Sequence, residues 1–144
     1  MGEKTRLELM RDLLVIDSTK LDEELERQAS NYLYVAEQAI GAEAEYEEYK
    51  AMLGQLEAEL DSKIRVAAEA AGKKLTEAAI SMQINREDAH KKANRHLIKL
   101  RQRREVLKAL RESWYMRKDM LIQRAIKARS EIEALTSETV KKAA

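Results

Sequence analysis

Apolar residues recur alternately every three and four positions over most of this chain. One series runs Leu25, Tyr32, Ala39, Tyr46, Leu53, Leu60, Ala67. Its companion runs Leu21, Gln28, Val35, Ala42, Tyr49, Leu56, Lys63, Ala70. Such spacing draws one seam along an α-helix. It predicts a helix of about fifty residues, ~75 Å long at 1.5 Å per residue. Gly41 and Gly54 fall inside it. Each costs about 1 kcal/mol relative to Ala, which packing along the seam outweighs. Lys63 is the one charged member of the seam, and a cation near a helix end can snorkel to water.

A second heptad series marks another long helix: Ala93, Leu100, Leu107, Trp114, Leu121, Ala128, Leu135. Its companion positions are Leu97, Arg104, Arg111, Lys118, Ala125, Ile132. Three cations on a seam need either carboxylate partners from the first helix or a face open to water or a ligand. After Leu135 the periodicity ends, and fraying is expected.

Breaks come from caps and glycine, since the chain contains no Pro. A short first helix is expected over about Lys4–Leu14. Asp17, Ser18 and Thr19 can cap the long helix that follows, with Thr19 and Asp22 as a capping box. Gly72-Lys73-Lys74 is the clearest turn, with Gly72 as the left-handed residue that ends a helix. A short helix follows to about Gln83, and Asn85 is a candidate cap for the last one. The expected fold is all-α. A long antiparallel, coiled-coil-like helical hairpin carries short N-terminal and connecting helices. So thin a hairpin calls for self-association into a homo-oligomer.

Composition agrees. Charged residues make up 37% of the 144, aromatics 4%, which matches long helices better than a globule with a large core. The charge is unevenly placed. Residues 1–61 carry 6 Lys/Arg against 16 Asp/Glu, net −10; residues 62–144 carry 21 against 10, net +11. Two consequences follow: halves that neutralise each other on folding, and a basic surface able to hold a polyanion. Lys92, Arg95, Lys99 and Arg103 share one helical side, widened by Lys91, Arg101 and Arg104, with Arg86 just before them. Such a row tracks phosphates and gains affinity by releasing counterions. The alternative is a charged face paired with the acidic helix. Lys63, Arg65, Lys73 and Lys74 form a second basic group at the expected hairpin tip.

Enzymatic chemistry finds little support. With no Cys, thiol nucleophiles, disulfides and Cys-based zinc sites are excluded. His90 and His96 are six apart, not one turn, and read as surface residues or phosphate neighbours. No nucleotide, metal or nucleophile motif is present. Glu43, Glu45, Glu47 and Glu48 read as a solvated face. No cofactor and no metal are expected. With no signal-peptide pattern or long apolar run, the expected setting is the cytoplasm, away from membranes. Tyr32, Tyr46, Tyr49 and Trp114 fit the seams and are expected to pack; Tyr34 and Tyr115 are freer. Few aromatics interleave with the basic row, so contact to a nucleic-acid backbone is expected, with weak sequence preference.

The chain resembles the UvsY family of bacteriophage recombination mediator proteins. The match is sharpest at Ile16-Asp17-Ser18-Thr19-Lys20-Leu21 after a leader that starts Arg6-Leu7-Glu8. Lys63-Ile64-Arg65 before the Gly72 turn, and Trp114 followed by Ala125-Ile126-Lys127, extend it. The shorter, Lys-rich turn and the longer tail depart from the family pattern. The resemblance implies a non-catalytic protein, in the host cytoplasm if phage-encoded. It would bind single-stranded DNA, form a ring-like homo-oligomer and help load a RecA-like recombinase onto DNA coated with single-strand-binding protein. It implies Lys63 and Arg65 as DNA contacts. The helix from about Trp114, with Leu121, Ala125, Ala128 and Ile132, is implied as the self-association element. The chain then divides into a DNA-binding region, residues 1–112, and a self-association helix, 113–144, within one structural domain. A coiled-coil scaffold or adaptor that binds no nucleic acid is the competing reading.

Overall fold

In the computed structural model, which describes residues 2–144, every regular element is helical. Helix α1 spans Arg6–Asp12, α2 Leu21–Ala70, α3 Glu77–Arg86 and α4 Asp88–Ala143, and the long helices pack against each other.

The helix ends follow from local chemistry. Thr5 caps α1 through a reciprocal box: its hydroxyl accepts from the Glu8 N–H, and the Glu8 carboxylate accepts from the Thr5 N–H at 2.7 Å. The expected Thr19 cap of α2 is not formed. The Thr19 hydroxyl instead donates to Asp17 Oδ1 at 2.6 Å, and its N–H donates to the same oxygen at 3.0 Å, so Asp17 shapes the turn that precedes the helix. The α2 exit is as expected. Gly72 takes φ +67°, Lys73 N–H donates to Ala68 O at 2.9 Å and Gly72 N–H to Glu69 O at 3.0 Å. Thr76 caps α3 by accepting from the Ala79 N–H at 3.1 Å.

Two expected boundaries are corrected. Asn85 lies inside α3, which continues to Arg86. A single extended residue, Glu87 (φ −64°, ψ 131°), makes the break before α4. The tail does not lose its helix after Leu135: α4 continues to Ala143. Helix there is local hydrogen bonding without cover, since residues 131–144 are exposed throughout.

Tertiary packing divides into two units. Unit 1 comprises Met1–Ala39 with Leu107–Ala144, and unit 2 comprises Ile40–Val106. In each, a segment of α2 runs antiparallel to a segment of α4. Gln28 meets Trp114 and Glu24 meets Arg117 in unit 1; Glu43 meets Arg104 and Glu57 meets His90 in unit 2.

The core of unit 1 is built on Val35, Trp114 and Leu121, the most completely buried large side chains. Met10 of α1 closes over it. Three α4 side chains then grip the N-terminal arm by its main-chain carbonyls. Trp114 Nε1 donates to Met10 O at 3.1 Å, Arg117 Nε to Leu14 O at 3.1 Å, and Arg124 Nη1 to Ile16 O at 3.5 Å. Arg117 is 4% exposed. It also donates to Gln28 Oε1 at 2.9 Å, pairs with Glu24 and lies over the Trp114 ring, 4.8 Å from its centroid. In unit 2, Tyr46, Leu53, Leu97 and Leu100 form the core, with Tyr49, Leu56 and Ala93 beside it.

The α2 seam holds as far as Leu60 and then drifts. Lys63, Ala67 and Ala70 are exposed, while Leu60, Ile64 and Ala68 are half-buried. A straight helix at 3.6 residues per turn falls out of a seven-residue repeat by about 20° per heptad. Positions four apart therefore take over, which carries Lys63 off the seam. On α4 the cations expected on the seam divide. Arg104 is half-buried between Glu43 and Glu105 and lies 4.1 Å from the Tyr46 ring centroid. Arg111 is half-buried, and Lys118 is exposed beside Tyr115. The deeply buried cation is Arg117, one residue off the expected position.

Candidate nucleic-acid interface

The basic row lies on α4 within unit 2. At 100° per residue, Lys92, Arg95, Lys99 and Arg103 occupy an arc of about 80°, roughly 120° from the core-facing Ala93, Leu97 and Leu100. The four extend over ~16 Å of helix. All are exposed, as are Lys91 and Arg86. Among the described residues, none of these six forms an ion pair.

The sequence itself explains why they stay open. Lys91, Arg95, Lys99 and Arg103 are successive i, i+4 neighbours, so Arg95, Lys99 and Arg103 face another cation where a stabilising pair would place a carboxylate; Lys91 and Lys92 follow Glu87 and Asp88 by four residues, and neither of those pairs closes. Like charges at this spacing weaken a helix by about 0.2–0.5 kcal/mol per pair. The acidic segment of α2 does not reach them. Its pairs in unit 2 go to Arg104 and His90 on the core side of α4.

Arg65 is placed differently from the other expected contacts. Its Nε donates to Asp61 Oδ2 at 2.9 Å, and its Nη2 lies 2.8 Å from both carboxylate oxygens of Glu77. The Glu77 and Asp61 carboxylates hold the guanidinium protonated even more firmly than an ordinary arginine. Lys63, Lys73 and Lys74 are exposed, and none forms an ion pair among the described residues. Lys63 and Lys73 meet across an open groove of about 510 Å³ between the end of α2 and the α3–α4 junction. Arg65 and Lys73 border a smaller hollow of about 310 Å³ against Ile80.

The residues expected to drive self-association separate into two kinds. Trp114 and Leu121 are each 0% exposed, enclosed by their own chain. Ala125 and Ala128 are half-buried and, with Ile132, line a groove of about 540 Å³ beside Ser18–Leu25. Ile132 at the edge of that groove, and Leu135 and Val140 beyond it, are each at least 64% exposed. Ile132 and Leu135 are the last members of the two α4 series, and Val140 lies outside them on the uncovered end of the helix.

The histidines also separate. His90 is buried rather than superficial, with Nε2 2.9 Å from Glu57 Oε1. His96 is exposed and meets the Tyr49 ring edge-on at 4.6 Å. Both rings of unit 2 are thus engaged, Tyr46 beneath Arg104 and Tyr49 against His96. In unit 1, Tyr34 lies under Arg6 at 3.8 Å and Tyr32 contacts Tyr115 at 6.3 Å.

Glu77, Gln83 and Glu87, which border the basic groups, carry no distinguishing signal in sequence, because only the packing of α3 and of the break after it brings them there. Among the described residues no cluster of three or more His, Asp or Glu is arranged to hold a metal ion. None of the described helices is long and apolar enough to cross a membrane. Compared with known protein families, curated proteins and solved structures, the chain gives no match.

Proposed function

We propose that this protein is a non-catalytic, single-stranded-DNA-binding accessory protein of recombination. In this reading it helps load a RecA-like recombinase onto DNA covered by single-strand-binding protein, as the mediators it resembles do. The observation that carries the nucleic-acid part is the unpaired ladder Lys91, Arg95, Lys99, Arg103, with Lys92 beside it. A cation ladder costs the helix stability, and no ion pair among the described residues offsets that cost. A bound phosphate backbone offsets it by neutralising the row and releasing counterions. The loading role rests on the resemblance at Ile16–Leu21 and Lys63-Ile64-Arg65.

Self-association belongs to the same reading. The exposed Ile132, Leu135 and Val140 on a helix that extends past its cover support it. Repetition of a weak basic row around an oligomer raises its affinity for a long strand through effective concentration. The scaffold reading shares this stripe and differs only in leaving the ladder without a ligand.

The test is fluorescence anisotropy with a labelled single-stranded oligonucleotide across a salt series. Each phosphate neutralised contributes about 0.7 to the slope of log K against log salt for single strands. The variant Lys92→Gln/Arg95→Gln/Lys99→Gln is expected to lower affinity and reduce the slope by about 2. No binding at about 50 mM salt would overturn the nucleic-acid reading and leave the scaffold.

A further inference from the structure

A second feature of unit 2 has chemistry the basic row lacks. The row consists of exposed cations on a convex helix face, with no apolar recess and no tyrosine free to enclose a base. Phosphate tracking of that kind holds single and double strands alike. A preference for single strands needs a place for an unpaired base, and in unit 2 both tyrosines are already covered.

The groove at the end of α2 has that character. Its floor is apolar, made of Leu60, Ile64 and Ala68 of α2 and Leu75 of the following turn. Its rim carries two cations without carboxylate partners, Lys63 and Lys73. Gln83 and Glu87 stand on the far wall. An amide presents both a donor and an acceptor, and a carboxylate an acceptor, so this wall can meet the polar edge of a base. The groove's volume of about 510 Å³ accommodates a base with its sugar. Drift of the seam builds the site: it rotates Lys63 outward to the rim while Leu60, Ile64 and Ala68 take the inner face.

We propose that this groove takes one unstacked nucleotide of a single strand. Its base lies on the Leu60–Ile64–Ala68 floor, and its flanking phosphates lie against Lys63 and Lys73. The groove is the part of the surface that distinguishes single strands from duplex, while the α4 row supplies affinity without that distinction. The inference rests on the nucleic-acid reading above and adds to it a base-binding position.

The experiment compares two single-stranded oligonucleotides of equal length, one of ordinary thymidines and one with abasic sites throughout. The two present the same phosphates. The full-length protein is expected to prefer the ordinary strand by about tenfold, as burial of roughly 60 Å² of base surface on the apolar floor gives. Ala67 borders the groove and is exposed, so Ala67→Phe fills the groove from the outside without entering the core. That variant is expected to bind both strands nearly equally, with an unchanged salt slope and an unchanged melting temperature. Lys92→Gln is expected to weaken both strands by the same factor. Equal binding of the two strands by the unaltered protein overturns the inference while leaving the nucleic-acid reading intact. So does a preference that survives Ala67→Phe. Failure to bind either strand at low salt overturns both.

Discussion

Arg65 Nη2 lies 2.8 Å from both carboxylate oxygens of Glu77, with Asp61 on the Nε side of the same guanidinium. The carboxylates occupy the Nε and Nη2 donors and leave Nη1 open, so a strand reaching Arg65 gains a two-point contact only by displacing Glu77 or Asp61. Glu77→Gln is expected to raise affinity for single-stranded DNA a few-fold and steepen its salt dependence. Arg65→Ala is expected to change affinity less than Lys92→Gln does. Anisotropy titrations of the three variants check this; no gain from Glu77→Gln shows that the Glu77 contact does not limit binding.

Arg117 is the buried charge on which unit 1 is organised. Removing it strands Glu24 and Gln28, which it ties together, and frees Leu14 O. Breaking a buried pair by deleting one partner costs about 3 kcal/mol or more. Arg117→Ala is therefore expected to lower stability by about 3 kcal/mol. Urea unfolding followed by the fluorescence of the single Trp measures it.

The indole of Trp114 also holds the N-terminal arm, through the 3.1 Å bond from Nε1 to Met10 O. Trp114→Phe keeps most of the apolar contact and loses that bond, an expected cost of about 1–2 kcal/mol including the smaller ring. The arm should then open more often. Limited trypsin digestion at Lys4, Arg6 and Arg11 is expected to accelerate before cleavage elsewhere changes. An unchanged rate at these sites would show that Arg117 and Arg124 suffice to hold the arm.

The glycines separate by backbone geometry. Gly72 has φ +67°, where an added Cβ costs about 1 kcal/mol. Gly41 and Gly54 lie in α2, and a Cβ at either meets nothing within 4 Å. Gly72→Ala is expected to lower the melting temperature, whereas Gly41→Ala and Gly54→Ala each raise it, by about 1 kcal/mol of stability. Thermal melts by circular dichroism read all three.

The Asp17 carboxyl titrates below its ordinary value of 3.8, because the Thr19 hydroxyl and N–H both donate to it. A depressed carboxyl stabilises the fold above its unfolded pKa, and that contribution disappears as pH falls through the lower folded value. Thr19→Val removes the hydroxyl donor. The Asp17 pKa, followed by NMR, is expected to move back toward 3.8. No movement would assign the shift to the Thr19 N–H alone.

Much of this molecule was legible in one dimension. Heptad spacing located α2 and α4 because helix periodicity is a local property, repeated often enough here to outweigh two internal glycines. Gly72 announced the end of α2 because few other residues accept its backbone conformation. The openness of the α4 cations was latent in their spacing, since residues four apart on a helix are neighbours whatever surrounds them. Sequence could not say which charges would be consumed. Arg65 and Lys63 are two residues apart and look alike in a motif. Packing of α3 gives Arg65 a carboxylate clamp, and seam drift leaves Lys63 on a groove rim. Likewise Arg117 is one of 27 Lys/Arg residues until the fold sets Glu24, Gln28, Trp114 and the Leu14 carbonyl around it. Helix, turn and charge pattern depend on neighbours within about four positions of the chain. The clamp, the groove and the buried arginine depend on residues as many as 103 positions apart, as Arg117 and Leu14 are. Only tertiary packing brings such residues together.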